Sequence, residues 1–268
     1  MTSPAPATRS TRHTTITLPA RHDVQLTVDD TAGSGGTFLL LHGGGGPRTM
    51  GGFAELLAEH SRGRVLLPTH PGFAGTPVAE SLTSTRELAS AYVGLVEHLD
   101  LADVTLVGNS FGGWLAAEIA LLGNPRIGRV VIVDGIGLAV PGHAPADVRG
   151  LTPAQLAALS FHDPSKAPTP PSAGGTGPSP DVLALLRYSG PDMVDATLAG
   201  RLADLDVPAQ IVWGESDGIV DAEYGAAYAD AIPNATFTLL HGTGHLPQLE
   251  TPGALLDVIL DGAPGHRP

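Results

Sequence analysis

The chain has no cysteine in its 268 residues, which excludes a disulfide framework, a Cys-based zinc site and a thiol nucleophile, and fits a reducing cytoplasm. It is short of positive charge. The 14 Lys and Arg stand against 27 Asp and Glu, a formal charge of −13, and this argues against nucleic acid or an anionic membrane as partner because both would repel the chain. No apolar run approaches the ~18 residues of a membrane span. Residues 1–11, rich in Ser, Thr, Pro and Arg, lack the apolar core that a secretory signal needs, so 1–12 read as a disordered lead-in. There is no internal repeat.

What is present describes a packed globule. Hydrophobic residues make up 42% of the chain, and 35 glycines with 24 prolines stay below the roughly 25–30% that marks low complexity. The length suits one α/β domain with an insertion, large enough to bury about three quarters of its unfolded surface.

The most informative stretch is 104–120. An apolar, β-type run breaks at Gly108-Asn109-Ser110-Phe111-Gly112 and restarts with helical spacing. A serine in a tight strand-to-helix turn has its hydroxyl pushed clear of the sheet edge, and the positive end of the new helix faces any negative charge that develops beside it. Gly108 and Gly112 leave room where strand and helix approach each other.

Elsewhere, 14–18 and 24–28 alternate as half-buried strands do, and the short link between them predicts an antiparallel hairpin at a sheet edge. Residues 37–41 do not alternate; a continuous apolar run reads as a central strand covered on both faces. It ends in His42-Gly43-Gly44-Gly45-Gly46-Pro47, whose backbone N–H groups no side chain covers. Such a loop can cradle an oxyanion. The phosphate alternative would require a Lys followed by Ser or Thr, and Arg48-Thr49 has the wrong spacing. Helical spacing is expected over 53–60 and 85–99, and buried strands over 64–67 and 128–134, the latter with Asp134 at its tip. From 135 to about 202 no strand-like run is expected, only helical pieces at 152–160, 181–189 and 191–202 around the Pro/Gly/Ser-rich stretch 167–180. The sheet resumes at 209–213, followed by a helix over 221–231, a strand over 235–240 and a closing helix near 252–260.

Taken with a Gly214-Glu215-Ser216-Asp217 turn and a Gly244-His245 pair, these motifs resemble the α/β-hydrolase fold enzymes from about residue 13 to the end. The Gly-Asn-Ser-x-Gly-Gly form and the His-Gly-Gly-Gly loop look most like the group that holds carbon–carbon bond hydrolases of aromatic ring-cleavage products and many small esterases. The resemblance implies a mostly parallel, doubly wound sheet with an N-terminal antiparallel hairpin and a helical lid insertion. Core residues would be 13–134 and 203–268, and the lid 135–202. It further implies Ser110 as nucleophile, His245 as its base, Asp217 as the residue orienting that base, and the N–H groups of Phe111 and Gly44 as oxyanion hole. His42, Gly43, Trp114 and Phe161 would line the substrate site, with Leu156, Leu159, Leu185 and Leu186 as further apolar wall. A metal or organic cofactor is not expected, and the partner is a small molecule, acted on by a monomer or homodimer.

Rival residues exist for several roles. Asp134 ends the strand after the nucleophile helix, where some members of the group put the acid. His241 stands four residues before His245 but at a strand end. Glu215 reads as a turn residue, and His70 as a loop histidine bonded to backbone. The expected activity is hydrolysis of a small, largely apolar ester, lactone or related acyl compound. The alternatives are hydrolysis of a vinylogous diketone, for which Leu246-Pro247 stands where the ring-cleavage enzymes tend to carry a Trp, and a ligand-binding module that has lost catalysis.

Overall fold

A computed structural model describes residues 10–19, 24–168 and 178–262. Eight strands form one sheet in the order β1-β2-β4-β3-β5-β6-β9-β10. These are β1 (Thr11–Leu18), β2 (Val24–Thr31), β3 (Thr37–Leu41), β4 (Arg64–Thr69), β5 (Val104–Asn109), β6 (Ile127–Val133), β9 (Ala209–Gly214) and β10 (Thr236–Leu240), numbered in chain order around a short pair, β7 (Gly137–Leu138) and β8 (Val194–Asp195). The edge hairpin β1-β2 and the β2-β4 pair are antiparallel; the other pairings in the large sheet are parallel.

The continuous apolar runs divide between two layers, as a period of two requires. Leu39, Leu41, Leu106, Ile132 and Trp213 face a core shared with α2 (Thr85–His98), α3 (Phe111–Leu121) and α7 (Ala222–Asp230). Phe38, Leu40, Val107, Val131 and Val212 face α1 (Arg48–Ser61) and α9 (Pro252–Asp261), which follows the one-turn α8 (Pro247–Glu250). All the parallel strands point one way, so β3, β5, β6, β9 and β10 deliver the loops after them to a single edge.

Three expectations need correction. Strand β1 begins at Thr11, inside the expected lead-in, because Thr11 and Arg12 pair with Thr31 and Asp30; residues 1–9 lie outside the described ones. Between 135 and 202 there is strand after all, the parallel β7-β8 pair. The expected helix over 191–202 shrinks to α6 (Leu198–Leu202). Met193 has φ +53, and the Asp195 carboxylate accepts from Thr197 N and Oγ1 at 2.8 and 2.7 Å, a local turn that competes with helix.

The other two helices of this segment are α4 (Pro153–Ser160) and α5 (Pro180–Ser189). Thr152 and Gln155 form a capping box on α4, and Ser179 caps α5 with Pro180 in the first turn. Most of the Pro/Gly/Ser-rich stretch between them, 169–177, lies outside the described residues. The segment is held to the sheet layer by polar ties to backbone. Arg187 donates to the carbonyls of Leu82 and Glu80, both at 2.9 Å, and Tyr188 Oη donates to Pro71 O at 2.9 Å.

Its strongest ionic tie runs from α6 to α3. Glu118, only 3% exposed, receives both guanidinium arms of Arg201 at 2.7 Å and the Trp114 indole N–H at 3.1 Å. Removing one partner of a buried pair strands the other charge, which typically costs ~3–5 kcal/mol. Arg201→Ala, which leaves the buried Glu118 carboxylate without its guanidinium, should therefore lower unfolding stability in urea by about 3 kcal/mol. A loss below about 1 kcal/mol, the range of an exposed pair, would show that the contact adds little.

Candidate active site

Strand β5 is buried along its whole length, and α3 starts one residue after it. The join is too short for an ordinary turn, and Ser110 takes it up with φ 58° and ψ −120°, a conformation that costs a non-glycine residue on the order of 1–3 kcal/mol. A Cβ on Gly108 would sit inside the Gly112 carbonyl, and one on Gly112 inside the Leu41 carbonyl. The turn is fixed from outside as well. Ser110 N donates to Val133 O at 2.9 Å, and Ser110 O accepts from Gly113 N at 2.9 Å and Ile136 N at 3.2 Å. The His42–Pro47 loop packs directly on it, since a Cβ on Gly43 would lie 2.8 Å from Ser110 Cβ and 3.4 Å from Oγ. Among the described residues, the N–H groups of Gly44 and Phe111 make no hydrogen bond; that of Phe111 is one of the four donors a helix start leaves unpaired.

Asp217 follows β9 and His245 follows β10, which puts their loops side by side. His245 Nδ1 donates to Asp217 Oδ2 at 2.7 Å, with both side chains buried. The other oxygen, Oδ1, accepts from Ile219 N at 2.7 Å and Val220 N at 3.1 Å. With Nδ1 committed as donor, Nε2 is the ring's acceptor. The histidine's backbone is held too: its N–H donates to Ser160 O at 2.8 Å, and its carbonyl accepts from Asn109 Nδ2 at 2.9 Å. Asn109, adjacent to Ser110, thus joins the two loops, and Gln248 Nε2 donates to its Oδ1 at 3.0 Å. Glu250 completes the seat, accepting from Gly244 N at 2.7 Å and from the N–H groups of His162 and Asp163 at 3.1 and 2.8 Å. Sequence reasoning passed over Asn109 and Glu250. The only signal for Asn109 was its place in the Ser110 motif; Glu250 had none, because two of its three contacts, to His162 and Asp163, span 88 and 87 residues.

His70 is bonded to backbone, as read from sequence, and its place in a paired network is new. His70 Nε2 donates to His42 O at 3.0 Å, Tyr92 Oη donates to His70 Nδ1 at 2.6 Å, and the His70 backbone N–H donates to His42 Nε2 at 3.1 Å. His42 Nδ1 donates to Gly43 O at 2.8 Å. All four ring nitrogens are engaged, so both imidazoles are neutral, and His42 supports the glycine loop from beneath. Burial pushes His42 down to about 4. Burial, and then the proximity of His42, pushes His70 well below the usual histidine range.

The remaining candidates fall in different places. Trp114 is 4% exposed, bonded to Glu118 and stacked edge-on against Phe111. Phe161 ends α4, with its Cα 2.7 Å from where a Gly244 Cβ would be. Leu185 Cδ2 would lie 3.0 Å from a Gly44 Cβ, while Leu156 is 42% exposed. His241 is exposed and pairs with Glu215, whose carboxylate also accepts from Gly242 N. Asp134 is fully buried, with Oδ1 accepting from Gly214 N at 2.7 Å. Among the described residues two groups have the spacing of metal ligands, Asp134 with Asp217 and His245, and His143 with Asp221 and Glu223. Each already has an internal hydrogen bond from histidine Nδ1 to an aspartate, 2.7 Å in both.

A parallel sheet whose C-terminal edge gathers a constrained serine turn, a glycine loop and an aspartate–histidine pair defines a class of α/β enzymes. The model of the alpha/beta hydrolase family matches residues 38–258, and the chain belongs to that family. It is 29% identical over 242 residues to the dihydrolipoyllysine-residue acetyltransferase component of an acetoin cleaving system from Pseudomonas putida, covering 82% of this chain but only 62% of that one. It is 26% identical over 263 residues to a 2-hydroxy-6-oxononadienedioate/2-hydroxy-6-oxononatrienedioate hydrolase from Cupriavidus pinatubonensis, 87% of this chain and 88% of that one. Among solved structures, a thermophilic esterase from Thermogutta terrifontis superposes with a TM-score of 0.70 at 24% identity, over 93% of this chain and 97% of that one.

The histidine pair makes acid sensitivity testable. An unfolded histidine takes up a proton near 6.5, whereas folded His42 resists until about 4 and folded His70 is also held well below the usual histidine range. The unfolded state therefore binds more protons as the pH falls below 6.5, and stability declines across that window by up to about 1.4 kcal/mol per pH unit for each ring. Tm should fall steadily from pH 6.5 towards pH 4, and less steeply in His70→Gln. An equal slope in that variant would remove His70 from the effect.

Proposed function

We propose that the protein is a serine hydrolase of small, largely apolar esters, lactones or related acyl compounds. The observation that carries this reading is the buried Asp217–His245 hydrogen bond of 2.7 Å, tied through Asn109 to the constrained turn at Ser110. A serine hydroxyl is a weak nucleophile near neutral pH and requires a base. In the proposed reaction His245 Nε2 takes the Ser110 proton as Oγ attacks the acyl carbon, and Asp217 stabilises the imidazolium that forms. The N–H groups of Gly44 and Phe111 meet the oxyanion. Being unpaired beforehand, they need not break another bond to do so, and losing one such donor typically costs ~10²–10³ in rate. His245 then returns the proton to the leaving group, and water repeats the sequence on the acyl-enzyme.

We read 135–202 as a lid, with Leu185 over the glycine loop and Phe161 beside the histidine loop as apolar wall. Its four described cations are all committed elsewhere: Arg149 to Asp147, Lys166 to Glu250 O, Arg187 to Glu80, and Arg201 to Glu118 and Asp195. That favours an uncharged substrate. Carbon–carbon cleavage of a vinylogous diketone remains the second reading, supported by the name of the Cupriavidus relative; such a dicarboxylate would need cationic partners.

A fluorophosphonate probe should label Ser110 in folded protein, and labelling should disappear in Ser110→Ala. An unlabelled Ser110 would end the serine-hydrolase reading. Asp217→Asn should keep the fold and lower kcat by up to ~10⁴, because an amide supports the wrong imidazole tautomer. Comparing p-nitrophenyl acetate with a coloured ring-cleavage diketone separates the two readings, and tight binding without turnover of either would point to a binding module.

A further inference from the structure

Asp134 is a fully buried carboxyl at this edge that the proposed reaction does not use. It follows β6 at φ +47°, is fully buried, and lies where its carboxyl, that of Asp217 and a ring nitrogen of His245 each offer an atom within 4.8 Å of the others. Only Oδ1 is satisfied, by the Gly214 N–H at 2.7 Å. Written as a carboxylate, Asp134 leaves Oδ2 buried with no partner, a second negative charge beside Asp217, and no compensating cation. Among the described residues the charged or titratable groups facing it are Asp217 and His245, and no lysine or arginine pairs with either aspartate. Two carboxylates cannot both ionise in so confined a site without a large cost.

We propose that Asp134 is a positioning residue: a neutral carboxylic acid whose Oδ2–H is shared with the Asp217 carboxylate, so that the buried cluster carries a single negative charge matched to a single imidazolium on His245. Every partner then has a role. Asp217 Oδ1 is held by two backbone N–H groups and Oδ2 by His245, and the acid proton of Asp134 fixes the carboxylate from behind. Burial first, and then the charge of Asp217, push the Asp134 carboxyl well above the usual carboxylate range, while the Gly214 N–H pulls the other way. This inference rests on the serine-hydrolase reading for its catalytic consequence, though not for the protonation itself.

The test uses Asp134→Asn and Asp134→Gly, both compatible with a positive φ. An amide can still donate to Asp217 and accept from Gly214, and it changes no charge if the native group is neutral. The acid limb of the kcat/KM profile should then stay in place in Asp134→Asn. If Asp134 were ionised, removing its charge would shift that limb to lower pH by about one unit or more, and the proposal would be overturned. Asp134→Gly should lower kcat by about tenfold or more with KM little changed, as when a group that orients a catalytic ligand is lost; Asp134→Asn should restore most of it. Equal losses in both variants would contradict the donor role. Infrared spectroscopy of the resting protein at neutral pH decides the protonation without reference to activity. The C=O stretch of a buried protonated carboxyl should be present in wild type and absent in Asp134→Asn, and its persistence in the variant would place the proton elsewhere. Because fluorophosphonate labelling of wild-type Ser110 tests the hydrolase reading by itself, the two can fail separately.

Discussion

Strand β5 and helix α3 meet at a single residue, and on either side of it there is no room for a side chain: Gly108 abuts the Gly112 carbonyl, and Gly112 abuts that of Leu41. This steric constraint forces Ser110 into a backbone conformation that a free chain would avoid. The strain is tolerated because the end of β6 and the link after it hold the turn through Val133 O and Ile136 N. The same close packing draws the loop after β3 against Ser110, so the glycine loop and the serine turn are positioned by one contact. A parallel sheet does the rest, since loops that follow adjacent parallel strands have no alternative but to share an edge.

Polar groups that are scattered in sequence are then recruited to hold these loops. Asn109 reaches the His245 carbonyl, Glu250 gathers three N–H groups from the histidine loop and the inserted segment, and His42 with His70 underpins the glycine loop. Each is buried and has its hydrogen bonds made, which is the condition under which buried polar groups fix one arrangement instead of destabilising it. The inserted segment is tied by side chain to backbone bonds at Arg187 and Tyr188 of α5 and by backbone bonds at the end of α4, from Gly218 N to Leu159 O and from His245 N to Ser160 O. Such ties fix the positions of α5 and α4 relative to the sheet edge while leaving the apolar faces of Leu183 and Leu156 exposed.

The parallel core was legible because continuous apolar runs such as 37–41 and 104–109 have one simple explanation, and the Ser110, Asp217 and His245 motifs are short-range signals that survive without any knowledge of contacts. Boundaries decided by tertiary packing were not. Helix α1 begins at Arg48, five residues before its apolar pattern, because Met50 is buried at 1% exposure and carries Gly51 and Gly52 with it. Residues 191–197 read as helix, but β7 and the Asp195 carboxylate claim them first. At the candidate site, the pairing of His42 with His70 depends on β3 lying beside β4, and the approach of Asp134 to Asp217 on β6 lying beside β9. Neither adjacency is written in the local sequence. Residues 169–177, where composition alone marks a loop, fall outside the described part of the chain.

In the proposed reaction Ser110 attacks an acyl centre whose oxyanion is received by the glycine loop and the start of α3. A crystal structure of the protein after reaction with diethyl p-nitrophenyl phosphate tests it most directly, because the adduct is tetrahedral like the proposed intermediate. Phosphorus should be bonded to Ser110 Oγ, with the phosphoryl oxygen about 3 Å from the N–H groups of both Gly44 and Phe111. An unmodified Ser110, or an adduct whose phosphoryl oxygen turns away from both groups, would contradict it.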